Sequence, residues 1–155
     1  MSYSVPVSKR WDFINKNKSH KRYETTKCGC AVFTEDLKSI VLIQNIYSYK
    51  SGIEQWGLPK GQIETNETFS MCAKRELYEE TGLDLNITDY MFKSKVMNSY
   101  YFTLIVNTKL KLNPKDNTEI KYAKWFKVED LDILPINRET RLFMKYTYSN
   151  IKKKL

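Results

Sequence analysis

The stretch Gly61-Gln62-Ile63-Glu64-Thr65-Asn66-Glu67-Thr68-Phe69-Ser70-Met71-Cys72-Ala73-Lys74-Arg75-Glu76-Leu77-Tyr78-Glu79-Glu80-Thr81-Gly82-Leu83 decides the fold. Within it Phe69, Cys72, Ala73, Leu77 and Tyr78 recur near a 3.6-residue period, which predicts a helix with one apolar face over about 68–81. Pro59-Lys60-Gly61 breaks regular structure ahead of it, and Gly82 stands where a helix C-cap belongs. Residues i, i+3 and i+4 share a helix face, so Glu76, Glu79 and Glu80 project together over about one turn. Like charges at that spacing destabilise a helix, so the cluster reads either as a solvated acidic face or as a site that a cation neutralises. Hard oxygen donors of this charge suit Mg²⁺ or Mn²⁺, which keep waters and substrate phosphates as further ligands.

Outward from the helix, Lys27 to Phe33 and Ser39 to Tyr47 are rich in β-branched and apolar residues around a polar turn, which predicts a strand hairpin. Tyr49 to Gly61 reads as loop. Tyr90 to Lys95, Ser99 to Leu112 and Ile120 to Lys127 read as strands, and Asn137 to Ile151 as a terminal helix with a basic end. The order β, β, α, β, β, β, α belongs to an α+β or layered α/β/α sandwich rather than a doubly wound sheet. At 155 residues the chain is expected to form one domain over 27–155, behind a basic arm or short helix over 1–26 anchored by Trp11 and Phe13.

The charge distribution points the same way. Glu64, Glu67, Glu76, Glu79 and Glu80 against Lys74 and Arg75 give the quoted stretch a net of −3, which leaves +11 for the remainder of a chain whose total is +8. An acidic focus in a basic surround suits a metal site that receives a polyanion, although a Lys-rich surface explains any single lysine. No run approaches the ~18 apolar residues of a membrane span, and no secretory h-region opens the chain. Cys28-Gly29-Cys30 reads as a metal or redox pair or as part of a buried strand. With only Cys72 besides, the strand is favoured and a reducing, cytoplasmic compartment expected.

Gly61, Glu67 and Arg75-Glu76-Leu77-Tyr78-Glu79-Glu80-Thr81-Gly82-Leu83 resemble the Nudix box at every defining position, a coincidence of order one in a hundred million by composition alone. The resemblance implies a Nudix fold, with a mixed sheet between helices, and metal-dependent hydrolysis of a diphosphate linkage. It implies Glu79 and Glu80 as the principal metal ligands, Glu76 as a further ligand or water-activating group, and the Gly61 carbonyl as another ligand. Lys60, beside Gly61, is the nearest lysine to offset phosphoryl charge. Glu67 and Arg75 fit a structural pair that fastens the loop to the helix. Outside the box, Glu119 lies six residues before Trp125 in a stretch similar to one in which many Nudix enzymes carry a metal-binding or general-base glutamate; Asp116 is the substitute.

The flanks Trp56-Gly57-Leu58-Pro59-Lys60-Gly61, Cys72-Ala73-Lys74-Arg75-Glu76 and Glu119-Ile120 with Trp125-Phe126 look most like the messenger-RNA decapping Nudix enzymes, over roughly 27–132. Two features depart from them: about 26 residues precede the first strand where eukaryotic members carry a large regulatory domain, and Gln62 follows Pro-Lys-Gly where many have a basic residue. Capped RNA would use the basic remainder for phosphates and aromatics for base stacking. Tyr47, Tyr49, Trp56, Tyr100 and Tyr101 are candidate platforms, or else core and strand filler. The alternatives are a dinucleoside polyphosphate or diphosphoinositol polyphosphate hydrolase and, in another class, a non-catalytic nucleotide- or RNA-binding module of the same fold.

Overall fold

The computed structural model describes residues 26–47 and 54–154; the expected N-terminal arm and the 48–53 segment, with Tyr49, lie outside them. The chain forms β1 (Lys27–Thr34), β2 (Ser39–Asn45), β3 (Lys60–Gln62), α1 (Phe69–Thr81), β4 (Lys93–Val96), β5 (Ser99–Val106) and β6 (Ile120–Lys127). A 3₁₀ turn (Val128–Asp132) then leads to a terminal helical run of α2 (Arg138–Leu142), a π-helical stretch (Phe143–Tyr148) and α3 (Ser149–Lys154).

The six strands make one mixed sheet in the order β4-β5-β1-β2-β6, with β3 paired to β1. On one edge β1 runs parallel to β5 along its whole length, Lys27 opposite Ser99 through Thr34 opposite Val106. Its other edge is divided, since Lys27–Gly29 pair antiparallel with Gln62–Lys60 while Phe33 pairs with Ile40 of β2. The sheet is layered because β1 alternates. Cys28, Cys30 and Val32 meet Phe69, Cys72, Ala73 and Leu77 of α1 in one core, while Ala31 and Phe33 meet Leu58, Tyr101 and Phe143 in the other. The expected α/β/α sandwich is thus the observed one.

Several boundaries move. The Pro59-Lys60-Gly61 segment, expected as loop, contributes the three-residue β3, because its pairing partner lies more than thirty positions away and leaves no local signature. Strand β2 stops at Asn45, where the register with β6 shifts, rather than reaching Tyr47. Strand β5 ends at Val106 rather than Leu112, and β4 begins at Lys93 because the Met91 amide closes a turn onto the Thr88 carbonyl. All three cysteines are free and buried on the α1 face of the sheet. Burial pushes the Cys30 thiol far above its ordinary value, and its Sγ donates to the Ala73 carbonyl. Among the described residues no helix is long and apolar enough to cross a membrane.

Candidate active site

Helix α1 starts where Thr68 accepts a hydrogen bond from the Met71 amide at 3.2 Å, and stops where Gly82, at φ 79°, donates its N–H to the Tyr78 carbonyl at 2.8 Å. Burying Phe69, Cys72, Ala73 and Leu77 fixes its rotation, so Glu76 and Glu79 are half-buried at the rim beside β3 while Glu80 is turned inward. Glu80 is 4% exposed and accepts the Lys60 amide at 2.8 Å. Glu76 lies so close to Gly61 that a β-carbon there would fall on its carboxylate, which is the reason a glycine is needed. The Gly61 carbonyl, an expected ligand, accepts from the buried Cys72 Sγ at 3.5 Å.

Arg75 organises this rim. Its Nε and Nη2 bond Glu67 at 2.7 and 2.9 Å in a bidentate fork, Nη2 also bonds the Gln62 carbonyl at 3.0 Å, and Nη1 reaches Glu76 at 2.7 Å and Glu79 at 3.1 Å. Glu67 in turn accepts the Glu64 amide at 2.9 Å, so the loop leading into α1 is tied to the helix two turns on. A single guanidinium cannot neutralise the cluster. Burial pushes the Glu76 carboxyl up to about 7, Glu79 and Glu119 adding to it against the opposing pull of Arg75. Burial, then Glu76, drives Glu80 well above the carboxylate range.

Glu119 joins the cluster from the residue just ahead of β6. Its carboxyl is raised by burial, by Asp116 and by Glu79, and it in turn raises Glu76 and Glu80. The loop is held there because Lys115 and Asp116 donate their amides to the Glu79 carbonyl, both at 2.9 Å, and the Ile46 amide bonds the Glu119 carbonyl at 2.7 Å. Asp116 has a different job: its Oδ1 accepts from Thr118 N, Thr118 Oγ1 and Glu119 N at 3.1, 2.7 and 3.1 Å, shaping the turn.

Among the described residues no three His, Cys, Asp or Glu side chains are drawn into a ready-made ligand shell. The donor chemistry nonetheless fits a hard divalent cation: the donors are all oxygens, and Glu76, Glu80 and Glu119 are raised first by burial and then by one another's charge, a repulsion that a cation would relieve.

The remaining candidates separate. Lys60 lies beside the cluster, but its Nζ is bonded to Glu139 Oε1 at 2.7 Å, a partner that sequence reading misses. Tyr101 is withdrawn as a stacking platform: it is 1% exposed, its ring packs against Phe143, and its hydroxyl donates to the same Glu139. Tyr100 is only half-buried but lies against Phe69 at 4.5 Å between centroids, as strand filler. Tyr47 is exposed. Trp56 is half-buried and stacks on Tyr122 at 6.3 Å, with Lys124 Nζ 5.7 Å from its ring and 5.0 Å from that of Tyr122. Sequence reading also misses Tyr122 and Lys124, although their alternate placement in β6 is an available signal.

A mixed sheet between helices, with the box carboxylates gathered beside the Pro-Lys-Gly loop, defines a Nudix domain. A family model described as the NUDIX domain matches residues 25–146, and the chain belongs to that family. It is similar to the m7GpppN-mRNA hydrolase dcap-2 of Caenorhabditis elegans, at 32% identity over 111 residues, covering 66% of this chain and 14% of that protein. It is similar also to the putative hydrolase 111R of Invertebrate iridescent virus 3, at 35% identity over 89 residues, covering 56% of this chain and 49% of the relative. The aligned part is therefore at most about half the length of these relatives. In fold it is like the NUDIX domain of Shewanella oneidensis NrtR, solved in complex with ADP ribose, with a TM-score of 0.67 at 15% identity over 92% of this chain and 97% of that one.

Proposed function

We propose that this chain is a pyrophosphohydrolase that cleaves the 5′ cap of messenger RNA within its triphosphate bridge, releasing the cap nucleoside diphosphate and leaving a 5′-monophosphate RNA. The observation that carries the hydrolase reading is the gathering of Glu76, Glu79, Glu80 and Glu119 from two parts of the chain far apart in sequence: Arg75 bonds Glu76 and Glu79, the Lys60 amide bonds Glu80, and the loop of Glu119 is tied to the Glu79 carbonyl. Similarity to dcap-2 and the basic remainder of the chain support the capped-RNA reading.

Glu79, Glu80, Glu76 and Glu119, with the Gly61 carbonyl, would hold Mg²⁺ or Mn²⁺. Such an ion, when bound, supplies Lewis acidity and charge neutralisation at the phosphoryl oxygens. Glu119, its carboxyl raised by burial, takes the proton of the attacking water at its carboxylate. Arg75 keeps Glu76 and Glu79 aimed, and Lys60 brings a positive charge to the departing phosphoryl oxygens. Trp56 and Tyr122 form the surface on which a base stacks, with Lys124 over both rings as a phosphate partner. Free cysteines in the core agree with a cytoplasmic location.

The test is product analysis of capped RNA, dinucleoside polyphosphates and diphosphoinositol phosphates side by side under Mg²⁺ and Mn²⁺. Release of cap nucleoside diphosphate at catalytic enzyme concentration is expected. Capped RNA left intact while a dinucleoside polyphosphate is cut would transfer the assignment to that substrate, which the same aromatic pair would serve. Turnover of no substrate would leave a binding module.

A further inference from the structure

The segment that leads into β3 and Lys60 is sewn to the start of the terminal helical run. Trp56 N bonds the Pro135 carbonyl at 2.8 Å, Asn137 N bonds the Trp56 carbonyl at 2.9 Å, and Leu58 N bonds Thr140 Oγ1 at 3.0 Å. Asn137 caps α2 through the Thr140 amide at 2.9 Å, so these contacts and the helix start are one unit. Glu139, one residue before Thr140, continues the seam through its side chain. Its carboxylate takes the Lys60 ammonium at 2.7 Å and the Tyr101 hydroxyl, with the Lys60 and Glu139 side chains 22% and 12% exposed.

Lys60 therefore ties two parts of the molecule together. Its amide holds Glu80, in the carboxylate cluster, and its ammonium holds Glu139, on a different element. A lysine whose own amide is 2.8 Å from a buried carboxylate has a competing place for its ammonium, which is the cluster itself. There it would neutralise the acids that are meant for a cation.

Resting on the reading that Lys60 offsets phosphoryl charge, we propose that Glu139 is a positioning residue: with Tyr101 it holds the Lys60 ammonium away from the carboxylate cluster and aimed at the substrate phosphates. The hydrogen bonds of the seam fix the backbone of this segment against the terminal helix, and the ion pair sets the direction of the Lys60 ammonium. Tyr101, 1% exposed in the core, anchors the Glu139 carboxylate through its hydroxyl, while the ion pair itself keeps partial contact with solvent.

Two measurements test this. In the first, the whole protein is acetylated with N-hydroxysuccinimidyl acetate and each lysine is followed by mass spectrometry, which needs no activity. Lys60 should react about tenfold more slowly than exposed Lys38, as a charge-assisted hydrogen bond implies. Glu139→Gln should raise the Lys60 rate severalfold and leave Lys74 unchanged. Tyr101→Phe, which keeps the ring in the core, should raise it partway. Equal Lys60 rates in the parent and Glu139→Gln proteins would overturn the proposal.

The second is a double-mutant cycle on whichever substrate of the panel is cleaved. Glu139→Gln should lower kcat about tenfold with little change in KM, and should add nothing in a Lys60→Met background. A similar loss in both backgrounds would show that Glu139 does not act through Lys60. If Glu139→Gln melts early, Tyr101→Phe carries both measurements. A parent protein that cleaves nothing defeats the hydrolase reading, whereas the acetylation rates still decide the ion pair.

Discussion

Glu80 is the residue whose burial is hardest to explain without catalysis: it is 4% exposed, carries one amide hydrogen bond from Lys60, and faces the like charge of Glu76. Glu80→Gln keeps the shape and the acceptor oxygen for Lys60 while removing the charge. Turnover should fall about a hundredfold or more, while the metal-free melting temperature stays level or rises because repulsion is relieved. Kinetics with and without chelator, beside thermal melts, measure both; undiminished turnover with chelator present would end the assignment. Glu119 and Asp116 are distinguished in the same way. Glu119→Gln should reduce kcat about a hundredfold with a smaller effect on KM, the pattern of a group acting in the transition state. Asp116→Asn retains the oxygen that accepts the Thr118 and Glu119 amides and should stay within a few-fold of the parent. The reverse order of effects would move the role to Asp116.

At the scale of the element, α1 is a helix whose core face is satisfied and whose acidic face is not, and its stability should report the difference. Glu76 titrates near 4.5 when unfolded and about 7 when folded. Above pH 7 both states carry the charge, and the folded one alone bears its burial. As pH falls from 7 toward 4.5 the folded state takes up the proton first, so metal-free stability rises, and Glu80 extends that window upward. Below about 4.5 the sense reverses. Burial pushes Glu67 and Glu139 up, but Arg75 for one and Lys60 with Tyr101 for the other outweigh it, and both carboxyls end below their ordinary value. Melts between pH 8 and 5 without metal should therefore climb, and added Mg²⁺ should flatten the trend; a level or falling curve without metal would refute it. This helix is also the most legible element, expected over 68–81 and found at Phe69–Thr81, because period, cap and core face agree locally. Strand β6 is legible at its observed bounds for the same reason. Strand β3 and the Lys60–Glu139 pair are not legible, since the first depends on Lys27–Gly29 and the second spans 79 positions. The Tyr100-Tyr101 pair shows the limit of composition: neighbours in a strand face opposite sides, so one ring lies against Phe69 and the other against Phe143.

Across the whole molecule, the acidic rim is set against a basic remainder of +11 in a chain of +8, and the lysines are not spread evenly. Lys38, Lys109, Lys127 and Lys152 line a concavity of about 460 Å³ beside Tyr148, with Glu129 the one acid in its wall among the described residues. Lys152, Lys153 and Lys154 continue that charge along α3. If the body of a capped RNA lies on this surface, affinity must fall with salt, each neutralised phosphate of a single strand contributing about −0.7 to the slope of log K against log salt. Lys152→Glu with Lys153→Glu should then make the slope shallower by about 0.7 for each phosphate left without its lysine, and should weaken binding and cleavage of long capped RNA. Cleavage of the free cap dinucleotide, which has no RNA body to contact these lysines, should be unaffected by the same pair. Filter binding across a salt series, beside turnover of the long and short substrates, separates the two effects. Equal loss on both substrates would indicate that the charge reversal disturbs the terminal helix, through which Glu139 and Thr140 hold the catalytic loop. No loss on either would remove RNA-body binding from this surface and favour a small dinucleotide substrate instead.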